Sequence, residues 1–329
     1  MTMQRRTLLT ALALPAFAPT LASAQAWPNR PIRMLVGFPP GGTTDLAARL
    51  VSERLTARLG VPVTVENRPG ATGNIATEAT IRAEPDGYTL QTISAAEGAM
   101  NYTLFGTRMV VKPEDVVQVG LLMRVPNAFF VHPSLPVHSI AELIAHARAN
   151  PGKLAFGSTS LGGTPHMGLE LLKLRTGVDI LHVPFRGAGP MLIEAMAGRV
   201  QVGGDNMPSV IGHLRDGRLR PIGVTSLGRS AALPNLPAIA ETVPGFEATG
   251  WFGVHAPARV PREIIAKLGA EIDAITHEQT YRLRLAELGA DLPALKPDGG
   301  TSPESYAAFT TNEITKWGEV VRASGVRVE

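Results

Sequence analysis

One local arrangement occurs twice in this chain: an apolar strand, a glycine-rich loop and an amphipathic helix. The first copy spans residues 34–59, and its loop ends in Thr43 and Thr44. The second copy spans residues 154–176, and its loop ends in Thr164. The free backbone N–H groups and the positive dipole end of a helix N-terminus favour a bound anion. Two such sites, one in each half of the chain, predict two lobes that close on a small acidic ligand.

Residues 1–26 have the pattern of an export signal. Arg5 and Arg6 begin it, an apolar stretch at 8–17 follows, and small residues at 22–26 offer cleavage sites. The paired arginines also resemble a twin-arginine signal, so the Sec and Tat routes both stay open. The apolar stretch is too short to span a bilayer, and no later segment has about 18 continuous apolar residues. We therefore expect an exported, periplasmic protein cleaved near residues 24–26.

Composition excludes several kinds of site. The chain has no cysteine, which excludes disulfides, zinc–thiolate sites, iron–sulfur clusters and cysteine nucleophiles. Its 31 basic and 28 acidic side chains nearly balance and form no basic run, so nucleic acid is not an expected partner. No motif predicts a metal or a cofactor, and we expect none. At 329 residues the chain is long enough for two domains, each with its own hydrophobic core.

Strands alternate with helices over most of the chain, which predicts an α/β fold of mainly parallel sheets flanked by helices. We expect one boundary near Pro126 and an extended return crossing at residues 246–256. A lobe interrupted by a second lobe, joined by two extended crossings, is typical of a hinged binding protein. The expected lobes are residues 27–126 plus 251–329 for lobe 1 and residues 127–250 for lobe 2.

The glycine-rich loop at residues 37–45 is the strongest candidate for a ligand site. Glycines let the backbone approach a ligand closely, and Thr43 and Thr44 add hydroxyl donors. The alternative is a plain strand-to-helix turn capped by Thr or Asp. The loop at 158–164 repeats the pattern, which favours the ligand site. His166 follows at a helix start, where it contacts the ligand or has a capping or packing role.

A third strand-to-helix loop covers residues 67–74. Its Arg68 either contacts the ligand directly or is a solvated side chain that pairs with Glu66. The loop adds a second polar segment of lobe 1 near the same expected cleft.

Two later segments also follow predicted strands. The Gly-Ala-Gly sequence at 187–189 lacks the third glycine of a dinucleotide fingerprint, because Leu192 stands there. Asp205 and Asn206 follow the predicted strand 200–202 after two glycines, and we expect them on a loop that faces the cleft. We interpret both segments as ligand contacts of lobe 2 rather than as an NAD site.

Motifs of catalysis are missing from the sequence. No G-x-S-x-G elbow, P-loop or H-E-x-x-H occurs. Ser158, Ser160, His166 and Asp205 are the candidates for a nucleophile or an acid–base pair. We expect a non-catalytic binding protein, and the alternative of another class is an exported hydrolase or isomerase on a similar scaffold.

An ordered set of short segments along the whole chain after the leader resembles one known family. The segments are WPNRPI at 27–32, PPGG at 39–42, VENRPG at 65–70, GN at 73–74, HVPFRG at 182–187, DN at 205–206, VTS at 224–226, LP at 236–237, PGF at 244–246 and WFG at 251–253. The chain resembles the periplasmic substrate-binding receptors of tripartite tricarboxylate transporters, called Bug receptors.

This resemblance implies a type II, Venus-flytrap binding-protein architecture and a carboxylate ligand, such as a dicarboxylate, a tricarboxylate, an acidic amino acid or an aromatic acid. It also implies a membrane permease as partner, with a sensor protein as the alternative. The ligand would be held by backbone groups, hydroxyls and bridging waters of the two opposed loops. The expected ligand-binding residues are Phe38, Pro40, Gly41, Gly42, Thr43, Thr44, Asp45, Asn74, Ser94, Ser158, Thr159, Ser160, Gly162, Gly163, Thr164, His166, Gly187, Ala188 and Asp205.

The segment after the third strand departs from the family pattern. Residues 94–101 are expected to form a loop, and Glu97 stands where relatives commonly have a hydroxyl or a histidine. If it faces the cleft, Glu97 would repel a second carboxylate and favour a ligand that carries an amine. The alternative is a solvated glutamate.

Overall fold

The computed structural model describes residues 27–328, and the predicted export signal lies outside this range. Ten strands alternate with helices along this part of the chain. The strands are β1 (Ile32–Val36), β2 (Val63–Asn67), β3 (Thr89–Ser94), β4 (Val116–Val125), β5 (Asn127–Val131), β6 (Ala155–Ser158), β7 (Leu181–Pro184), β8 (Val202–Asn206), β9 (Arg220–Val224) and β10 (Gly250–Pro257).

Ten α-helices of four or more residues connect or follow these strands in the described range. They are α1 (Thr43–Leu59), α2 (Asn74–Ile81), α3 (Asn101–Leu104), α4 (Ile140–Ala149), α5 (Thr164–Thr176), α6 (Ala188–Met196), α7 (Met207–Arg215), α8 (Arg262–His277), α9 (Gln279–Leu288) and α10 (Pro303–Ser324).

The strands form two five-stranded sheets with the same plan. The first sheet has the order β2-β1-β3-β10-β4, and the second has the order β7-β6-β8-β5-β9. In the first sheet β10 runs antiparallel to both of its neighbours, and in the second β5 does the same. Each sheet therefore has four strands in one direction and one reversed strand beside an edge.

The two reversed strands are the crossings between the sheets. A single residue, Pro126, separates β4 in the first sheet from β5 in the second. The return connection leaves β9 and reaches the first sheet at β10. Because ligands of open α/β sheets bind beyond the carboxyl ends of the parallel strands, this topology brings the ends of β1, β3, β6 and β8 to one region.

The last helices pack against the first sheet. A Cβ added at Gly120 of β4 would lie 2.9 Å from Ile272 of α8, so the glycine lets the helix approach the strand closely. On α10, Glu313 is buried and accepts hydrogen bonds from the indole N–H groups of Trp251 and Trp317, at 2.9 and 2.8 Å. Among the described residues, no helix has the length and apolarity needed to cross a membrane.

The prediction of a loop at residues 94–101 is wrong. One π-helical turn, Ala96–Met100, continues directly into α3. The segment is rich in alanine, which favours helix, and the Glu97 carboxylate accepts a hydrogen bond from the Ser94 N–H at 2.7 Å. This bond satisfies a free N–H beside the helix start, which a solvated glutamate would not do.

The prediction that Asp205 and Asn206 lie on a loop is also wrong, because both belong to β8. The glycines before them read as a loop in the sequence, yet they pair with β5 in the middle of the sheet. A Cβ at Gly203 would lie 2.5 Å from the ring of Phe130, and a Cβ at Gly204 would lie 2.7 Å from the ring of Phe156. Aromatic side chains fill the space, so only glycine fits at these strand positions.

Candidate functional site

A cavity of about 50 Å³ lies between the two sheets, and we call it the cleft. Loops and strand ends from both sheets form its walls. Its lining residues are Phe38, Pro39, Gly42, Thr43, Thr44, Ser94, Ala95, Ala96, Thr159, Ser160, Gly163, Thr164, Pro165, Gly187, Ala188, Asp205, Asn206, Gly250, Trp251 and Phe252. The position agrees with the rule that open α/β sheets bind ligands beyond their strand ends.

Two helices begin at the cleft from opposite sides. The N-cap residues are Gly42 for α1 and Gly163 for α5; both have extended backbone and neither has a side-chain cap. The preceding glycines, Gly41 and Gly162, have φ angles of +86° and +77°, which a residue with a Cβ rarely adopts. The first N–H groups of each helix thus stay free to face a ligand, and the dipoles of both helices favour an anion.

Hydroxyl groups line both sides of the cleft. Thr43 and Thr44 come from α1, and Thr159 and Ser160 come from the loop after β6. The Thr43 and Ser209 hydroxyl oxygens lie 3.2 Å apart and join α1 to α7 across the cleft. The cleft therefore offers donors that can turn toward a carboxylate without a fixed positive charge.

Asp205 is the one ionisable residue that lines the cleft in the described part of the chain. Its carboxyl oxygens accept hydrogen bonds from the Asn206 N–H at 2.7 Å and the Ser209 hydroxyl at 2.8 Å. Burial raises the pKa of Asp205 to about 7, although these two hydrogen bonds lower it. A protonated Asp205 can donate a hydrogen bond to a ligand carboxylate, so this acid is compatible with an anionic ligand.

Asn127, a residue that the sequence analysis did not select, holds the cleft wall of the second sheet together. Its carboxamide oxygen accepts hydrogen bonds from the Asn206 amide at 2.6 Å and from the Thr164 hydroxyl at 3.2 Å. Its carboxamide N–H donates to the Ala248 carbonyl at 2.6 Å. Asn127 is fully buried at the start of the crossing strand β5, so it ties the N-terminus of α5 to both crossings.

Twelve of the residues predicted from the sequence line the cleft. They are Phe38, Gly42, Thr43, Thr44, Ser94, Thr159, Ser160, Gly163, Thr164, Gly187, Ala188 and Asp205. They come from both sheets, as the two-loop arrangement predicts.

Seven other predicted residues are not among those that line the cleft. They are Pro40, Gly41, Asp45, Asn74, Ser158, Gly162 and His166. Several of them brace the lining. Asp45 accepts hydrogen bonds from the Gly41 N–H at 3.0 Å and from the Asn67 amide at 3.0 Å, which fixes the first loop. Burial raises the pKa of Asp45, but hydrogen bonds from Arg49, Gly41 and Asn67 outweigh burial and leave the pKa below its usual value.

Two stacked histidines support the second loop. The rings of His166 and His182 lie 3.5 Å apart, and Nδ1 of His166 accepts a hydrogen bond from the Gly162 N–H at 2.9 Å. His182 Nε2 lies 2.7 Å from the Ser158 hydroxyl, which donates to the Ser160 carbonyl at 2.9 Å. Burial and the neighbouring His166 and Lys173 lower the pKa of His182 to about 3. Ser158 is fully buried, so this contact positions the loop rather than presenting a nucleophile.

Glu97 does not face the cleft. Its carboxylate is buried and accepts hydrogen bonds from Ser94 and from the Gln91 amide, the latter at 3.1 Å. The prediction that Glu97 would select an amine loses its basis, because the side chain lies beneath Ser94 instead of beside the ligand. Arg68 also had two alternative roles in the sequence analysis, and in the structure it pairs with Glu66 at 2.7 Å.

Eight lining residues are absent from the expected ligand-binding residues, and three of the eight belong to β10. Gly250, Trp251 and Phe252 lie at the start of this strand. Because β10 is reversed in its sheet, its start lies at the edge where β1 and β3 end. The signal that could have identified them is the return crossing itself, since an antiparallel crossing begins where the parallel strands end. Among the described residues, no group of three or more histidines, aspartates or glutamates could hold a metal ion.

The sequence of the chain matches a known protein family. The model of the tripartite tricarboxylate transporter family receptor, TctC, matches residues 47–326. The chain belongs to this receptor family. One relative, Protein BugT of Bordetella pertussis, is 37% identical over 309 residues and covers 93% of both chains. The predicted family is therefore confirmed, and the chain is a solute-binding receptor by family.

Solved structures agree with this assignment. R. palustris Rpa4515 with adipate has a TM-score of 0.85 and 38% identity, covering 91% of this chain and 98% of that chain. MatC from Rhodopseudomonas palustris with bound malate has a TM-score of 0.83 and 29% identity, covering 90% of this chain and 100% of that chain. The predicted two-lobed α/β binding-protein fold is confirmed.

Proposed function

We propose that the protein is a periplasmic receptor that captures one small organic carboxylate in the cleft for a membrane permease of the tripartite tricarboxylate type. The observation that carries the proposal is the pair of helix N-termini, at Gly42 and Gly163, that face one cavity from opposite sides. Free N–H groups and helix dipoles stabilise a carboxylate without a cationic side chain. Two structural neighbours solved with dicarboxylates, adipate and malate, support the same ligand class.

We propose the division into lobes, and its boundaries, that the sequence predicts. Lobe 1 comprises residues 27–126 and 251–329, and lobe 2 comprises residues 127–250. The distribution of strands supports this division, because β1 to β4 and β10 share one sheet and β5 to β9 share the other. Opening at the two crossings would admit the ligand, and closure would bring the helix N-termini together around it.

The ligand-binding residues that we propose are the cleft-lining members of the predicted set, with the braces behind them in a supporting role. Thr44 on α1 and Thr159 after β6 represent the two sides. Each would contribute a hydroxyl contact to the carboxylate, directly or through a water molecule. Asp205, in its protonated form, would add a donor from the wall of lobe 2.

A calorimetric titration tests this function. The purified protein, refolded to remove copurified ligand, is titrated with adipate, malate, succinate, citrate, glutamate and benzoate. We expect one acid to bind with one-to-one stoichiometry and to be recovered unaltered. Thr44→Val and Thr159→Val should each weaken that acid about 2- to 10-fold, the effect of a lost hydrogen bond.

Thr315→Val is the matched control, because Thr315 is exposed on α10 and bonds only the Thr311 carbonyl of its own helix. The Thr315→Val protein should bind the acid with the same affinity as the unmodified protein. Absence of binding across the acids, or equal affinity in all three variants, would contradict a carboxylate receptor with its site in the cleft. Conversion of the acid into a product would contradict a purely binding role.

A further inference from the structure

A larger cavity of about 660 Å³ adjoins the cleft, and we call it the outer compartment. The cleft and the outer compartment share five wall residues: Phe38, Pro39, Thr159, Ser160 and Gly187. At about 50 Å³, the cleft has space for little more than a carboxylate group and a few water molecules. The rest of any longer ligand therefore extends past these shared residues into the outer compartment.

The wall of the outer compartment is largely apolar. Phe38, Pro39, Leu161, Pro184 and Phe185 contribute hydrocarbon surface to it. The remaining wall is mostly backbone of the glycine-rich segment 69–73. A methylene chain or an aromatic ring fits such a wall, whereas a ligand polar along its whole length would lose hydration without compensation.

Arg186 is the one charged residue among those that line the outer compartment in the described range. It is exposed and stands between Phe185 and Gly187, directly after β7. Other arginines form ion pairs, as Arg68 does with Glu66 and Arg199 does with Glu194. No ion pair of the described residues includes Arg186, so its guanidinium is available to an anion from outside the chain.

The buried acid Glu97 does not cancel this charge. Glu97 lies behind the backbone of Gly37 and Gly73, because a Cβ at either glycine would collide with its side chain. Its carboxylate is already engaged by Ser94 and Gln91. The outer compartment therefore presents one cation on an apolar wall.

We propose that Arg186 binds the distal carboxylate of an α,ω-dicarboxylate whose first carboxylate lies in the cleft and whose apolar spacer lies against the outer compartment. This inference rests on the proposed function and adds a ligand class to it. A guanidinium matches a carboxylate with two parallel N–H···O bonds, which gives selectivity for a ligand with an anion at both ends. A monocarboxylate of equal length would fill the same space without that contact.

The test pairs protein variants with ligand truncation. Succinate, adipate and suberate are titrated into the protein beside butyrate, hexanoate and octanoate, which lack the second carboxylate. Arg186→Gln should weaken the best diacid about 10-fold, the scale of one charge-assisted contact, and should leave the matching monoacid unchanged. Arg68→Gln, which removes an equal charge from a paired arginine, should leave both affinities unchanged.

The outcomes separate this inference from the function on which it rests. Equal affinity of the diacid and the monoacid, in both the unmodified protein and Arg186→Gln, would overturn the role of Arg186 and leave a carboxylate receptor intact. An equal loss for both acids in Arg186→Gln would show long-range attraction and would also overturn it. Failure of every acid to bind the unmodified protein would instead contradict the proposed function.

Discussion

Two carboxyl groups, Glu97 and Asp205, are buried on opposite sides of the cleft. Burial raises the pKa of each to about 7, against hydrogen bonds that lower it. The carboxamide oxygen of Gln91 has no hydrogen-bond partner beside Glu97. Rotation of that amide would offer an acceptor to a protonated Glu97, so the surroundings suit the neutral acid. The sequence marks Glu97 as unusual, but only the fold shows that it is buried beneath Ser94.

The raised pKa of Glu97 predicts a pH-dependent stability. In the unfolded chain the Glu97 carboxyl group has its ordinary pKa of 4.5. In the folded protein its pKa is about 7. Between these values the folded state holds the extra proton, so the free energy of unfolding decreases as pH rises, by about 1.4 kcal/mol per pH unit. This stabilisation is present in full below the unfolded pKa and is lost as pH rises through about 7. Asp205 acts in the same direction.

Urea denaturation between about pH 5 and about pH 8 measures this slope. Glu97→Gln should reduce the decline in unfolding free energy relative to the unmodified protein, because the amide does not titrate. Glu319→Gln, at an exposed position on α10, should keep the original slope. A Glu97→Gln protein with an unchanged slope would show that Glu97 titrates normally in the folded state.

For the individual helices and strands, apolar runs and the glycine or proline residues that end them predict most of the secondary structure. The strand, loop and helix predicted at 34–59 and at 154–176 are β1 with α1 and β6 with α5, because each arrangement has an apolar run and a helix that ends at a glycine. The prediction of secondary structure fails where tertiary contacts determine the conformation. Gly203 and Gly204 belong to a strand because aromatic rings need their space, and no local pattern shows where those rings lie.

The loops of the two sheets also touch each other. The Thr72 hydroxyl, in the turn before α2, donates a hydrogen bond to the Leu161 carbonyl of the loop after β6 at 3.1 Å. A Cβ at Gly187 would lie 3.3 Å from Pro39, which brings the opposite loops into contact at a second point. Such contacts stabilise the closed form alone, since they join segments of different lobes.

Thr72→Val should therefore weaken ligand binding. The substitution keeps the side-chain shape and removes the hydrogen bond across the lobes, so we expect a loss of affinity of about 2- to 10-fold for the best acid. Thr311→Val removes a hydroxyl that bonds only within α10 and should bind normally. Calorimetry on both variants measures the effect. Unchanged affinity in Thr72→Val would show that this contact does not contribute to closure.

In the whole molecule, the two sheets have the same arrangement of strands. The reversed strand of each sheet, β10 in the first and β5 in the second, is the one that follows a crossing from the other sheet. The repeated strand–loop–helix pattern predicts one cleft wall from each sheet, and residues such as Thr43 and Thr164 indeed line it. The third wall, at Gly250–Phe252, was missed although the return crossing was predicted, because its place at the cleft depends on the direction of β10 within the sheet. Asn127 was missed for a similar reason, since its partners lie far away in the sequence.

The proposed function requires that one carboxylate be held between the N-termini of α1 and α5. A crystal structure of the protein with its tightest-binding acid would show where that carboxylate lies. We expect it within hydrogen-bond distance of backbone N–H groups near Gly42 and Gly163, directly or through one water molecule, with the lobes closed around it. A bound acid with no carboxylate in the cleft, or one whose cleft carboxylate is held by an arginine or lysine in place of the helix N-termini, would contradict the proposed site.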